Sequence, residues 1–439
     1  MASSRLFLVN RLERCDHAVA ADLYLDSKVL RSPAFAPKAK IPMDLDILCD
    51  SAEIEHLPAA LVLNIDEAAR VLSERRFARG QLTLDGTPVE TDLGRLSPSP
   101  IVLDPSTELF YFQAPRSGDL LKLLNVSPPL GGILDGMTPK NHNASWNRIR
   151  RDRLGLSFVD AYVVAASSAG PDVIPAPVPL LNGKNRDLLA FAEDIIRWTA
   201  DIVGRKTTAF PAVMLPLHYT TFGNAAFVQE LLGLLRRVMP VHRILILKLL
   251  WYENMNPRQL LRRRFGEFLS QIDALKMELE DNFLTMLFDA RSEGFVTLAN
   301  GIDVYSEPLD MNVHPYKRKE KEDEEERDPL ARYGRYTHQD DRQDWPFREI
   351  LEEVGTNEGK LPHNCAACRP LHGRLVPGAL PPSVEWNRAR RQHLFNLRNE
   401  EVAQLREAIA ERSVRDIAMR IMRGGDLNLF DLLPREYRP

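Results

Sequence analysis

Cysteine is scarce, with four residues in a chain of 439. A chain this long with so few thiols does not fit a secreted disulfide framework. Long apolar runs are missing too. None approaches the ~20 residues that a membrane-spanning helix needs. The opening Met-Ala-Ser-Ser-Arg is not followed by the apolar stretch of a secretory signal. The expected compartment is the cytoplasm, with no membrane partner. Charge of one sign is also lacking. The formal net charge is −4, so any affinity for nucleic acid must rest on local arginine clusters and not on the total. No glycine-rich turn follows an early strand-like run, which weighs against a doubly wound dinucleotide fold.

What is present is an ordinary globular composition, 44% hydrophobic and 27% charged, with 31 prolines that imply many short, shaped loops. After a polar, proline-punctuated entry through Pro42, short apolar runs recur at 59–65, 99–104, 109–113, 161–166, 212–217, 244–249, 284–289 and 302–305. Continuous runs of this length read as strands covered on both faces. Helix-length stretches lie between them at 185–203, 225–238 and 257–279. In the first of these, Leu188, Phe191, Ile195 and Ile196 recur at three- and four-residue spacing. The alternation predicts a parallel α/β fold, and a TIM (β/α)8-type barrel fits it best. The charge run KRKEKEDEEER at 317–327 has no apolar face and reads as solvated. It divides the chain into a barrel at 1–314, a polar linker or insertion at 315–362 and a helical zinc-binding subdomain at 363–439.

That subdomain rests on His363, Cys365 and Cys368, followed after 24 residues by His393 in an arginine-rich helical stretch. Zinc takes nitrogen and sulfur donors in a tetrahedron, and structural sites close the shell with four of them. Three ligands from one short loop and a fourth from a helix would clip the two together. His372 is a rival fourth ligand by spacing, and the plain alternative is a loop with two free thiols.

The H-x-C-x2-C-x24-H arrangement, followed by helical segments, resembles the zinc subdomain of the guanine transglycosylase family. Those enzymes exchange a guanine for a 7-deazaguanine such as preQ0 without cutting the strand. The tRNA enzymes have a cysteine where this chain has His363, a substitution that resembles the DpdA branch, whose members modify DNA. The resemblance implies a TIM barrel, structural zinc and a DNA substrate, with tRNA as the alternative. It also leaves room for accessory proteins of a DNA-modification system.

Chemistry in a parallel barrel belongs at the C-terminal ends of strands. Asp104 ends the run SPIVLD and resembles the family's strand-end aspartate, although Pro105-Ser106-Thr107 replaces the family's glycines. Ser106 follows it as a substrate-binding candidate. Gly301-Ile302-Asp303-Val304-Tyr305 resembles the first half of the family's second catalytic segment, but Ser306 stands where the nucleophilic aspartate is expected. Asp303 is therefore the first choice of nucleophile, with Asp310 or Glu307 as fallbacks. His218, Asn224, Lys248 and Glu253 follow other strand runs and are pocket candidates. Two facing carboxylates would support double displacement at the sugar carbon through a covalent aspartyl-glycosyl intermediate. The target base would have to leave the stack. A non-catalytic zinc-containing nucleic-acid-binding subunit is the third reading. Arg262, Arg263 and Arg264 form one candidate backbone-binding cluster and Arg388, Arg390 and Arg391 another, with a third at Arg148–Arg153.

Overall fold

The computed structural model describes residues 7–39, 43–53, 57–66, 68, 96, 98–112, 117–250, 259–290, 294–309, 333, 335–338, 344–375 and 380–416. The chain opens with three antiparallel strands, β1 (Phe7–Cys15), β2 (Ala18–Leu25) and β3 (Lys28–Ser32). Both hairpin connections are two residues long. Asp16 and Asp26 take the positive φ that such tight turns demand, a conformation that aspartate tolerates better than most residues.

Eight parallel strands then close into a barrel in chain order: β4 (Ala34–Ala39), β5 (Leu61–Asn64), β6 (Ile101–Asp104), β7 (Val173–Pro175), β8 (Phe210–His218), β9 (Ile244–Leu250), β10 (Leu284–Phe288) and β11 (Val304–Pro308). The last joins the first along a register from Val304 opposite Ala34 to Pro308 opposite Lys38. Side chains alternate in and out along each strand. Ala36, Val62, Val102, Met214, Ile246 and Met286 fill the interior, and Leu23, Leu25 and Leu30 of the N-terminal sheet pack against the same cluster. Leu63, Leu103, Val213, Leu245 and Leu287 face outward into the larger core shared with the helices. The same parity turns Lys38, Asn64, Asp104 and Lys248 inward near the C-terminal ends of their strands. Polar residues there, above an apolar interior, set the position of the site.

The helices are α1 (Met43–Glu53), α2 (Glu108–Phe112), α3 (Ser117–Leu124), α4 (Pro128–Asp135), α5 (His142–Arg151), α6 (Gly155–Ser167), α7 (Asp187–Lys206), α8 (Ala225–Val238), α9 (Gln259–Glu278), α10 (Gly294–Leu298), α11 (Phe347–Thr356) and α12 (Ser383–Ala410). Two runs expected as strands are helical. Residues 109–113 fall mainly on α2, and 161–166 lie within α6, which is buried on so many sides that its sequence reads as a continuous apolar run. Two barrel strands are absent from the expectation, β4 and the three-residue β7. None of the helices among the described residues is long and apolar enough to cross a membrane.

Residues 333–386 build a small core of their own around Tyr333, Phe347, Ile350, Val354, Leu371 and Trp386. Part of the segment expected as a linker therefore packs, with β12 (Arg335–Thr337) paired to β13 (Asp344–Pro346) and followed by α11. The long α12 belongs to both cores. Trp386 sits in the small one, while Phe395, Leu405 and Ile409 pack into the barrel core. Ion pairs fix the docking: Arg391 meets Asp44 of α1 at 2.7 Å, and the fully buried Arg398 reaches Glu307 of β11 at 2.5 Å and Glu401 at 3.1 Å. Removing one partner of a buried pair strands the other charges. Arg398→Leu, which leaves Glu307 and Glu401 without their cation, is expected to destabilise the protein by about 3–5 kcal/mol, measured as a lowered urea midpoint.

Candidate functional site

At the knuckle, His363, Cys365, Cys368 and His393 are all buried, and their ligand atoms lie within 4.8 Å of one another. They are close enough to bind a metal ion. The two histidines approach through Nδ1 at 3.1 Å, the two sulfurs are 3.5 Å apart, and Cys365 Sγ is 3.7 Å from His393 Nδ1. The outer ring nitrogens are held from behind. His393 Nε2 donates to the Thr337 carbonyl at 2.8 Å, and His363 Nε2 lies 3.3 Å from a Glu400 carboxylate oxygen. These partners leave both Nδ1 atoms for a ligand role, the arrangement that orients metal-bound imidazoles. Tyr336 stacks on His393 at 4.3 Å and its hydroxyl reaches Cys368 Sγ at 3.3 Å. The hydrogen bond with Cys368, with His363 and His393 beside it, holds the Cys365 thiol far below its ordinary range. The half-buried His372 stands outside this group.

A second constellation occupies the C-terminal mouth of the barrel. Asp104, completely buried, accepts from Lys38 Nζ and Lys248 Nζ, each at 2.6 Å, and from the Ser106 backbone at 3.0 Å. Lys38 also contacts both oxygens of Asp289, at 3.0 and 3.1 Å. Lys248 pairs with Glu108 at the start of α2 and lies 3.6 Å from Asp289. Two cations thus face three carboxylates. Burial works against charge on Asp104, but Lys248 and Lys38 outweigh it and hold the pKa far below the usual carboxylate range. Burial likewise opposes charge on Lys248, yet Asp104 and Glu108 push its pKa up. Asp289 is the most accessible of the three acids, with 18% of its side chain exposed. Ser106 and Asp289 both adopt positive φ, at 55° and 59°. Left-handed backbone in non-glycine residues is costly and gathers at functional sites.

No protein-family model matches the chain, and no curated protein matches it either.

The structure brings Asp104, Ser106 and Lys248 together, as Ser106 also donates from its hydroxyl to Asn64 at 3.3 Å. Asp303 does not join them. It precedes β11 at the opposite end of the barrel, where Lys276 Nζ at 2.6 Å and the Thr285 backbone and hydroxyl at 2.7 and 2.8 Å hold its carboxylate. By register it lies below Ala34, which is itself about 13 Å down the strand from Lys38. Gly301 of the same motif takes φ +88°, and a Cβ there would sit 2.8 Å from Asp273 Cβ, so backbone geometry accounts for that glycine. Glu307 points outward to Arg398. Ser306 points inward and its buried hydroxyl lacks a partner among the described residues. Asp310 and Glu253 lie outside the described residues.

His218 sits at the end of β8 with Nδ1 2.7 Å from the Thr220 hydroxyl, and burial, with Lys184 beside it, pushes its pKa down to about 4. It is neutral at pH 7 and forms an aromatic wall with Tyr111 and Tyr219. Asn224 caps α8 by accepting from the Phe227 backbone at 3.2 Å, a structural task. Among the arginines, Arg262, Arg390 and Arg391 are buried. Arg391 pins α12 to α1, and Arg264 donates to the Phe222 and Gly223 carbonyls, each at 3.1 Å. Arg263 and Arg388 remain exposed. Arg264 and Arg391 therefore serve to dock helices, while Arg390 bonds to Asn387 within its own helix. Lys38, Glu108 and Asp289 are the site residues missed from sequence. Asp289 carried a signal, since it ends the strand run LTMLFD just as Asp104 ends SPIVLD.

Proposed function

We propose that the protein is a guanine transglycosylase acting on DNA, with the TIM (β/α)8 barrel as its catalytic body and zinc as its structural metal. Tetrahedral zinc, bonded at about 2.0–2.1 Å to nitrogen and about 2.3 Å to sulfur, separates its donors by about 3.3–3.8 Å. The separations of 3.5 Å between the sulfurs and 3.7 Å from Cys365 Sγ to His393 Nδ1 fall in that range. The 3.1 Å between the two Nδ1 atoms is slightly shorter, and all four donors lie within 4.8 Å of one another. Zinc supplies no chemistry to the reaction. It closes the knuckle onto α12, whose other half supports the barrel.

The observation that carries the reading is the pair Asp104 and Asp289, both bound to Lys38 at the barrel mouth. Their oxygens stand no more than about 6 Å apart, close to the spacing of paired carboxylates in retaining glycosyl transfer. Asp289 takes the nucleophile's place in preference to Asp303, because it is accessible and shares an end of the barrel with Asp104. Its oxygen attacks C1′ of the extruded nucleotide. The C1′–O bond forms as C1′–N9 breaks, and the electron pair leaves on guanine N9. Asp104 is held ionised and cannot protonate that nitrogen. The ammonium of Lys38 is the available donor, and its proton returns when the incoming 7-deazaguanine gives up its own to attack the sugar carbon.

The choice of DNA over tRNA rests on His363 in place of the tRNA enzymes' cysteine. Ser306 favours a second reading, a zinc-containing binding subunit without activity. The deciding experiment incubates the protein with guanine-containing DNA or tRNA and labelled preQ0. Label is expected in DNA, and a denaturing gel should trap a covalent adduct that maps to Asp289. Asp289→Asn is expected to lower exchange at least a thousandfold with little change in melting temperature. Asp303→Asn should lower the melting temperature while the folded enzyme stays active. Absence of label from both nucleic acids gives the lead to the binding subunit.

A further inference from the structure

A groove of about 490 Å³ runs between the knuckle, α12 and the flank of the barrel, away from the barrel mouth. Its helix side is a row of carboxamides, Gln392, Asn396 and Asn399, spaced four and three residues apart and therefore on one face. The side-chain amides of Gln392 and Asn396 have no hydrogen-bond partner among the described residues, and both residues are half-buried. Asn364 and the exposed Arg369 line the knuckle side, and the exposed Leu57 and half-buried Ala59 form a small apolar floor. Arg406 closes one end of the row, and the exposed Arg388 continues the same helix face one turn beyond Gln392. The nearby acid, Glu400, turns an oxygen toward His363.

We infer that this groove binds one stretch of the single-stranded substrate strand, an inference that rests on the nucleic-acid reading above. The charge arrangement favours that occupant. Arg406 already donates to the Pro33 and Arg31 carbonyls. The exposed guanidinium groups of Arg369 and Arg388 are therefore the ones that match phosphates, and the uncharged amides offer both donors and acceptors to base edges. The apolar floor gives a base face a surface to lie on. The volume suits a nucleotide-sized unit and is small for a folded partner. The groove would thus hold the strand beside the metal centre while the target base enters the barrel.

The test is fluorescence anisotropy with a labelled, guanine-containing single-stranded 12-mer and the full-length, metal-loaded protein. Gln392→Ala combined with Asn396→Ala is expected to weaken binding at least tenfold, with metal content and melting temperature unchanged. Arg369→Gln should lower the slope of log affinity against log salt by about 0.7, one phosphate contact on a single strand. Equal affinity of wild type and the double variant overturns the inference, as does a wild type that does not bind the 12-mer. Displacement of the 12-mer by guanosine monophosphate at equal concentration also overturns it, since the occupant would then be a free nucleotide. Base exchange separates this from the enzyme reading. A double variant that loses binding, in a protein that never exchanges bases, leaves the groove standing and removes the transglycosylase. Full exchange by a double variant that still binds does the reverse.

Discussion

Asp104→Asn is expected to abolish base exchange and also to lower the unfolding free energy by about 3–5 kcal/mol, read together from labelled-base incorporation and urea denaturation. The structure joins the two. The carboxylate is completely buried and is the shared partner of Lys38 and Lys248. An amide of the same shape keeps the packing but removes the charge, leaving two buried ammonium groups to Glu108 and Asp289. The acid side follows from the same contacts. Because the folded-state pKa of Asp104 lies below its unfolded value, its contribution is present above that unfolded value, near 3.8. It is lost as pH falls through the lower folded pKa. The wild type should therefore lose stability steeply below about pH 4, and Asp104→Asn should show a shallower acid limb. Matching acid limbs would remove Asp104 from the linkage.

Removing the metal should have the other large effect. Chelation, or Cys365→Ser, is expected to add a separate low-temperature transition in calorimetry, with altered fluorescence from Trp386. The four ligands tie the knuckle to α12, and the small core around Phe347, Ile350 and Trp386 has few apolar groups to hold it without that tie. The main transition should persist, because the barrel has its own, much larger core. Metal affinity should fall as pH drops, since His363 and His393 must be neutral and the thiols deprotonated to bind. A Cys365→Ser protein with full metal content and a single unchanged transition would rule out the assignment.

The group His363, Cys365, Cys368 and His393, close enough to bind a metal ion, was legible because scarce cysteines in C-x2-C, flanked by histidines, are the donor types and spacing that such an ion takes. The barrel was legible where interior and exterior residues were both large and apolar, as in ILILKL at 244–249. It was hidden at β4, whose interior positions are Ala34, Ala36 and Lys38 and whose sequence also carries Pro37. Small residues and a lysine inside a barrel leave no hydrophobic signal, so Lys38 went unread along with its strand. α6 failed the opposite way, since burial on many sides removed the polar face that marks a helix. Asp303 is separated from Asp104 by parity and by end. Asp289 follows β10, whereas Asp303 stands one step before β11 and faces outward at the other end of the barrel.

The placement of α12 has a consequence for synthesis. Arg406 of this helix donates to the carbonyl of Arg31 at 2.8 Å, across 375 residues of sequence, and Arg391 reaches Asp44 across 347. The first barrel strand thus waits for almost the whole chain to leave the ribosome before its covering helix arrives. At roughly 5–20 residues per second that is a wait of about 20–70 s. During it, the outward face of β4 lacks its covering helix, and the edge it shares with β11 stays open until residues 304–308 emerge. Such long-range closure slows folding and exposes strand edges to other chains. A nascent chain stalled before residue 383 should therefore depend on chaperones far more than the finished protein does, even though all the strands described and every helix from α1 to α11 are already made.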